Sequence, residues 1–254
     1  MISKNRFKYL KSLKIKKYRN QAKQILIEGS RLIDESMRAG ANIELICHTK
    51  QFVRNSNHEQ LLRFIDNKNI LIEEISDVDM KALSDSMQNQ GILGLADMPI
   101  AADANQLICG NQLILDSISD PGNLGNIMRT SDWFGIKSLY FSSDCTDPYN
   151  AKVIRSAMGA HFYLDIFHID IITHIKHLKE NDFTIIAADL DGESVYNWIP
   201  PEKWAIILGN EAHGISDKIR KLIDCTITIP KQGSIESLNV SMATGIVLSH
   251  IKKI

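Results

Sequence analysis

A chain of 254 residues with 44% apolar and 23% charged residues has room for one large or two small domains of ordinary globular composition. No apolar run is long enough to cross a membrane, and the four cysteines (Cys47, Cys109, Cys145 and Cys225) form no C-x-x-C pair, which argues against a zinc site or a disulfide framework and fits a reducing, cytoplasmic setting. The net charge of −1 hides an asymmetry: nine bases (Lys4, Arg6, Lys8, Lys11, Lys14, Lys16, Lys17, Arg19 and Lys23) precede the first acid, Glu28, which leaves −10 for the rest. A basic segment on an acidic body is the pattern of an arm that meets polyanions; a merely solvated helix face is the plainer alternative.

In chain order, Gln24–Glu28 reads as a strand through Ile25, Leu26 and Ile27, and Ser30 is placed to cap a helix that runs to about Arg38 and ends at Gly40. Ile43–His48 is a second strand. Leu61, Leu62 and Ile65 mark a helix, Ile70–Ile75 a strand, and Val78–Leu83 a short helix under a Ser76 cap. Gly91–Ala96 closes this small α/β unit. Pro99–Gly110, aperiodic and holding three alanines, reads as a linker. A second α/β pattern starts at Leu113, with strands at Leu113–Asp116, Ser138–Phe141, His161–Phe167, Phe183–Ala188, Trp204–Leu208 and Thr226–Ile229. Helices fit near Gly125–Phe134, Lys152–Met158, Ile171–Glu180, Asp217–Leu222 and Asn239–Ile251. That alternation implies a mostly parallel sheet with helices on both faces. The organisation expected is a basic arm (1–23), a small α/β domain (24–98), a linker (99–110) and a larger α/β domain (111–254).

Three polar, glycine-containing loops follow three of these strands: Asp116 to Arg129, Leu208 to Ser216, and Pro230 to Ser237 before a helix opened by Asn239 and Val240. Ligand sites in open parallel sheets form beyond the carboxyl ends of strands, so the three loops are expected to converge. None is a dinucleotide or P-loop fingerprint, and no Ser/His/Asp set or zinc-spaced histidine pair stands out. Arginine, asparagine, glutamate and serine with backbone donors suit transfer to a hydroxyl near a phosphate. Each also has a plain structural reading. Arg129 suits a surface ion pair, Asn123 a turn, Glu211 a helix start, and Ser237 and Asn239 helix caps. Asp144 and Asp147-Pro148-Tyr149 lie in another loop that is equally a simple turn, with Lys152 and Arg155 after it placed to meet phosphate.

The run Asp120-Pro121-Gly122-Asn123-Leu124-Gly125-Asn126-Ile127-Met128-Arg129-Thr130 resembles the first signature motif of the SpoU/TrmH family. Leu208-Gly209-Asn210-Glu211 resembles the second, and Ile229-Pro230, Gly233 and Glu236-Ser237-Leu238-Asn239-Val240-Ser241 the third. These are RNA ribose 2′-O-methyltransferases of the SPOUT superfamily, and residues from Gln24 to about Met98, with Glu28-Gly29-Ser30-Arg31, resemble the L30e-like RNA-binding domain that many members carry. The resemblance implies a C-terminal α/β knot (a deep trefoil) that binds S-adenosyl-L-methionine and pairs into a homodimer. It implies that Arg129, Asn123, Glu211, Ser237 and Asn239 serve the transfer, with Glu211 a structural or catalytic partner of Arg129. Leu208, Gly209, Ile229 and Leu238 then grip the cofactor, with Leu208 near the adenine ring. The substrate it implies is ribosomal RNA, 23S in particular, with transfer RNA or non-catalytic RNA binding as alternatives. Three positions depart from the family's usual residues: Ala212 for glycine, Lys231 for an apolar residue, and Asp120 for asparagine.

Overall fold

The computed structural model describes residues 2–99 and 110–252, which divide into one unit of 2–99 with 147–162 and another of 110–146 with 163–252. The expected linker, apart from its end residues, and Cys109 lie outside the described residues.

In the first unit, β1 (Gln24–Glu28), β2 (Ile43–His48), β3 (Leu71–Glu74) and β4 (Ile92–Asp97) form a sheet in the order β1-β4-β2-β3. β4 runs antiparallel to both neighbours, and β2 is parallel to β3. Successive strand residues face opposite sides, so the sheet builds two cores. Ile25, Ile27, Ile46 and Ile92 face one side, where they meet Leu32 and Ile33 of α3 (Ser30–Arg38) and Ile65 of α5 (Glu59–Asn67). Leu45, Cys47, Leu93 and Leu95 face the other, where they meet Met80 and Leu83 of α6 (Asp77–Leu83). Gly94 lets strands and helix close up, since a Cβ there would stand 2.9 Å from Ile27 Cγ1.

The basic N-terminal segment is built into that second core. It forms α1 (Lys4–Ser12) and α2 (Lys16–Ala22), and Leu10 and Leu13 are fully buried against the same strands. Lys4, Arg6, Lys8, Lys11, Lys16 and Lys17 are therefore displayed by folded helices while Arg19 is buried, and cutting the segment away would open the core. Two further local readings change. Ser30 is the first residue of α3 rather than its cap: Gly29 takes the cap position at φ 103°, where a side chain is strained, and the Ser30 hydroxyl donates to Gln90 Oε1. A short helix, α4 (Lys50–Arg54), capped by Thr49, follows β2 with no apolar period to announce it. Ser76 does cap α6, accepting from the Asp79 N–H at 3.0 Å. Residues 147–162 contribute α8 (Ala151–Ala157) and a 3-10 turn (Ala160–Phe162).

The second unit is a six-stranded sheet in the order β10-β8-β9-β5-β6-β7, with every neighbouring pair parallel. Its strands are β5 (Gln112–Leu115), β6 (Ser138–Phe141), β7 (Asp165–His168), β8 (Thr184–Ser194), β9 (Trp204–Leu208) and β10 (Cys225–Thr228). β5, β6 and β9 are buried along their whole length, as strands covered on both faces must be. α9 (Ile171–Glu180) and α10 (Asp217–Arg220) pack with Ile114, Ile185 and Ile207 in one apolar cluster, while α7 (Pro121–Trp133) contacts α11 (Val240–Ile251).

Three boundaries shift by more than two residues from the sequence reading. The strand expected at His161–Phe167 begins only at Asp165, because His161 lies in the preceding 3-10 turn, its Nε2 bound to the Pro148 carbonyl at 2.7 Å. β8 continues past Ala188 through a polar tail to Ser194, where Gly192 passes so close to β10 that a Cβ would stand 2.5 Å from the Thr226 carbonyl oxygen. α7 starts four residues before Gly125, because Asp120 accepts from the Asn123 N–H at 2.8 Å and Pro121 fits the first helical position.

Candidate active site

β5, β9 and β10 all deliver their carboxyl ends to one edge of the parallel sheet, β5 and β9 as neighbours with Leu115 opposite Leu208. Asp116, the first residue beyond β5, is only 5% exposed. Its Oδ2 accepts from the Ser216 N–H at 2.9 Å, which fixes the far end of the loop after β9, and its Oδ1 accepts from the Ser117 hydroxyl at 3.1 Å. Asn210 secures the near end: Nδ2 donates to the Ser117 carbonyl at 2.7 Å, while Oδ1 accepts from the N–H groups of Ala212 and His213. Asn210 also pairs with Gly214 through the backbone. The turn closes tightly on Gly209, where a Cβ would lie 2.4 Å from the Gly214 carbonyl carbon. Its positive φ falls at Gly214 (φ 67°), not at Ala212, so the alanine that replaces the family's usual glycine sits without strain.

A chain of side-chain hydrogen bonds crosses the three loops. Asn239 Nδ2 donates to Asn123 Oδ1 at 2.8 Å, and Asn123 Nδ2 donates to Glu211 Oε1 at 2.9 Å. Glu211 also accepts from the Ser119 N–H and hydroxyl and from the Asp120 N–H. Burial pulls the Glu211 carboxyl upward, but the Asn123 amide and the N–H groups of Glu211 itself, Ser119 and Asp120 together outweigh it and hold the group below its ordinary value. It is therefore a carboxylate at neutral pH. Asn239 does a second job, its Oδ1 accepting from the N–H of Ser241 at 2.9 Å and of Met242 at 3.4 Å to cap α11.

The geometry thus brings Asn123, Glu211 and Asn239 together and leaves other expected site residues outside their network. Arg129 lies exposed in the third turn of α7, deeper than a helix starting at Gly125 would place it. It makes no ion pair or hydrogen bond among the described residues, so the carboxylate partner expected in Glu211 is instead engaged by Asn123, Ser119 and Asp120. Ser237 is exposed and forms no cap; that role falls to Asn239. Leu208 is 2% exposed, its side chain buried in the sheet. Ile229 is half-buried, Leu238 is 42% exposed and Ile235 65% exposed. Among the described residues, 229–238 make no backbone-to-backbone hydrogen bond. Unpaired N–H and C=O groups beside exposed apolar side chains suit a flat ring with polar edges.

Asp116, Asn210, Ser119 and Ser142 (whose hydroxyl accepts from the Ser117 N–H at 2.9 Å) shape the loops and were not singled out in the sequence. Asp116 left one trace, a carboxylate directly after the apolar run Leu113-Ile114-Leu115, where burial demands a partner.

Residues 110–249 match the SpoU rRNA Methylase family, and residues 4–94 match the MRM3-like substrate binding domain. The chain is 27% identical over 243 residues to the 23S rRNA (guanosine(2553)-2′-O)-methyltransferase RlmP of Bacillus subtilis, covering 95% of this chain and 94% of that one. It is 32% identical to the 23S rRNA (guanosine-2′-O-)-methyltransferase RlmB of Neisseria meningitidis, with 76% of this chain and 81% of the relative covered. A TrmH-family protein from Porphyromonas gingivalis superposes with a TM-score of 0.83 at 30% identity over 98% of both chains. The SpoU methyltransferase AviRb of Streptomyces viridochromogenes, in complex with AdoMet, shares the fold with a TM-score of 0.81 at 22% identity, over 98% of this chain and 97% of that one. Since the first match spans more than half the chain and takes in all three converging loops, the chain belongs to the SpoU rRNA methylase family.

Proposed function

We propose that this protein transfers the methyl group of S-adenosylmethionine to a ribose 2′-hydroxyl of large-subunit (23S) ribosomal RNA, working in the cytoplasm as a homodimer paired through a knotted C-terminal unit. The observation that carries the reading is the Glu211–Asn123–Asn239 hydrogen-bond chain, which ties three distant loops into one site while Arg129 stays unpaired on the same helix as Asn123. Two of the relatives named above are 23S rRNA methyltransferases, matched over 94% and 81% of their lengths, which supports the choice of RNA.

The backbone of Gly209, Ile229 and Leu238, with the apolar side chains of Ile235 and Leu238, would hold the cofactor, and the unpaired loop groups fit its adenosine. When bound, S-adenosylmethionine would supply a sulfonium methyl group to the 2′-oxygen and be left as the neutral thioether, with the hydroxyl proton passing to solvent. The protein's own part is positional. Asn123, Glu211 and Asn239 spend their polar atoms on one another and on the loop backbone, so they keep the three loops in register. Arg129 keeps its planar fork for a phosphate of the acceptor nucleotide, which would orient the 2′-hydroxyl. An arginine stays protonated in a protein, so it acts here by holding and by charge rather than as a base. Ser237 is exposed at the end of the last loop, which leaves its hydroxyl accessible to an acceptor.

Mass-spectrometric mapping of ribose methylation in ribosomal RNA from cells with and without the protein tests this directly. One 23S nucleotide should lose its 2′-O-methyl group. An unchanged ribosomal map with a methyl lost from transfer RNA would move the substrate, and no change in either RNA would sink the enzymatic reading.

A further inference from the structure

The unit made of residues 2–99 and 147–162 has a cleft of about 320 Å³, lined by Lys14, Arg19, Asp85, Tyr149, Lys152 and Arg155 among others. Two guanidinium groups in it hold buried N–H donors with no acceptor. Arg19 has a side chain only 8% exposed. Its Nη1 donates to the carbonyls of Leu13 and Lys14 at 2.9 Å each and its Nη2 to Asp147 Oδ2 at 2.5 Å, while Nε is left over. Arg155, on α8, has a buried Nη1 with no hydrogen bond. Its nearest carboxylate oxygen, Glu28 Oε2, stands at 3.9 Å, close enough for charge attraction and too far for a hydrogen bond. Glu28 is already committed elsewhere, accepting from the Ser84 hydroxyl at 2.5 Å and the Asp85 N–H at 3.3 Å.

Buried polar groups in folded proteins are hydrogen-bonded with few exceptions, and each exception asks for a reason. Here two exceptions of the same kind line one cleft. Arg155 keeps a cationic fork whose geometry matches a phosphate, while Arg19, with Nη1 and Nη2 committed, adds its charge and a single Nε donor. Leu13, Leu26 and Ile154 supply apolar wall, which lowers the local dielectric and strengthens any ionic contact made inside. Lys14 is held by Asp85 at 2.8 Å and contributes charge rather than a free donor. The helix that carries Arg19 also displays Lys16 and Lys17 to solvent, so the surrounding field favours an arriving polyanion.

We infer that this cleft is an oxyanion site that takes a backbone phosphate of the substrate RNA. The inference rests on the functional reading above for the nature of the substrate, and it gives the basic N-terminal segment a defined contact rather than a diffuse one. A free phosphate ion has the same chemistry. The phosphodiester is favoured because residues 4–94 match a substrate-binding domain and because the flanking bases continue the positive charge well beyond a single ion.

Two substitutions in the full-length chain separate this from a purely structural pair. Arg155→Gln removes the charge at similar size, and Glu28→Gln removes the acid that competes for it. If the cleft binds an RNA phosphate, Arg155→Gln should weaken RNA binding about tenfold. It should also lower the slope of log affinity against log salt by about one phosphate's share. Glu28→Gln should move RNA affinity the opposite way, upward. S-adenosylmethionine affinity by calorimetry and the melting temperature of Arg155→Gln should stay close to wild type. Were Arg155 and Glu28 only an internal ion pair, the two variants would behave alike, and that result overturns the inference. Inorganic phosphate forms the second arm. Competition between phosphate and RNA that disappears in Arg155→Gln supports the assignment. Phosphate binding that saturates without displacing RNA would make the cleft a free-anion site and overturn it. If the wild type methylates RNA while Arg155→Gln leaves RNA affinity and its salt slope unchanged, only the cleft assignment falls. If the wild type neither binds nor methylates RNA, the functional reading falls with it.

Discussion

Asn239 joins two jobs that substitution can separate. Its Oδ1 caps α11 through the N–H groups of Ser241 and Met242, and its Nδ2 donates to Asn123 Oδ1. Asn239→Ala removes both. Losing an N-cap costs about 1 kcal/mol, and losing an exposed amide hydrogen bond adds a few tenths to about 1 kcal/mol. The expected total is about 1–2 kcal/mol, or roughly 3–6 °C in the melting of the C-terminal unit. Asn239→Asp keeps both carboxylate oxygens for the cap, and its charge suits a helix N-terminus, so stability should change by less than about 0.5 kcal/mol. It has no N–H to offer Asn123, however, and it sets a carboxylate against Asn123 Oδ1. The Asn123 amide then turns toward the new acceptor and releases Glu211. Methyl transfer to an RNA transcript should therefore fall by about 10- to 100-fold in a variant that folds as well as wild type. Urea melts followed by circular dichroism, together with single-turnover methylation at saturating cofactor, read the two effects separately. Full turnover by Asn239→Asp with intact stability would show that the three-loop hydrogen-bond chain does not matter to the reaction.

Arg129→Ala should lower kcat and kcat/KM together, by about 100-fold or more, while cofactor affinity stays within a few-fold, because the side chain has no partner among the described residues to lose; Arg129→Lys should recover little, since an ammonium lacks the two-toothed grip. Loss of cofactor binding in Arg129→Ala would make the residue structural instead. Gly209→Ala should abolish cofactor binding in a calorimetric titration, because its Cβ would stand 2.4 Å from the Gly214 carbonyl carbon and 2.5 Å from the Ile215 nitrogen, and the turn must open; an unchanged titration would exclude that turn from the site. Burial lowers the His161 imidazole to about 4, against contributions from the Pro148 carbonyl and Asp147 that raise it, and burial likewise lowers His174 to about 4. Between the ordinary value of 6.5 and about 4 the unfolded chain binds protons that the folded chain refuses, so stability is full above pH 6.5 and declines as pH falls toward 4, by on the order of 3 kcal/mol for His161. Nitrogen-15 spectra at pH 5.5 should show both rings neutral, and a protonated His161 at that pH would contradict the burial that lowers it.

Much of this was legible in one dimension. The apolar runs of β5, β6 and β9 announce strands covered on both faces, and Ser76 announces the start of α6, because burial and capping act over a few neighbouring residues. The third loop and its helix start at Asn239 are equally local, as is the resemblance of the three motifs. Other features depended on partners far away. Leu10 and Leu13 sit among lysines, and nothing nearby says that they enter the core beneath Leu45 and Leu93, which makes the basic segment part of a folded unit. The contacts that define the site join residues 88 positions apart in Asn123 and Glu211, 116 apart in Asn123 and Asn239, and 100 apart in Asp116 and Ser216. A hydrogen bond of that span leaves no period or spacing in the chain. The sequence by itself determined which side chains were available and at which strand ends. Only the parallel sheet, by setting three carboxyl ends on one edge, decided that Glu211 would bind Asn123 and that Arg129 would make no ion pair or hydrogen bond among the described residues.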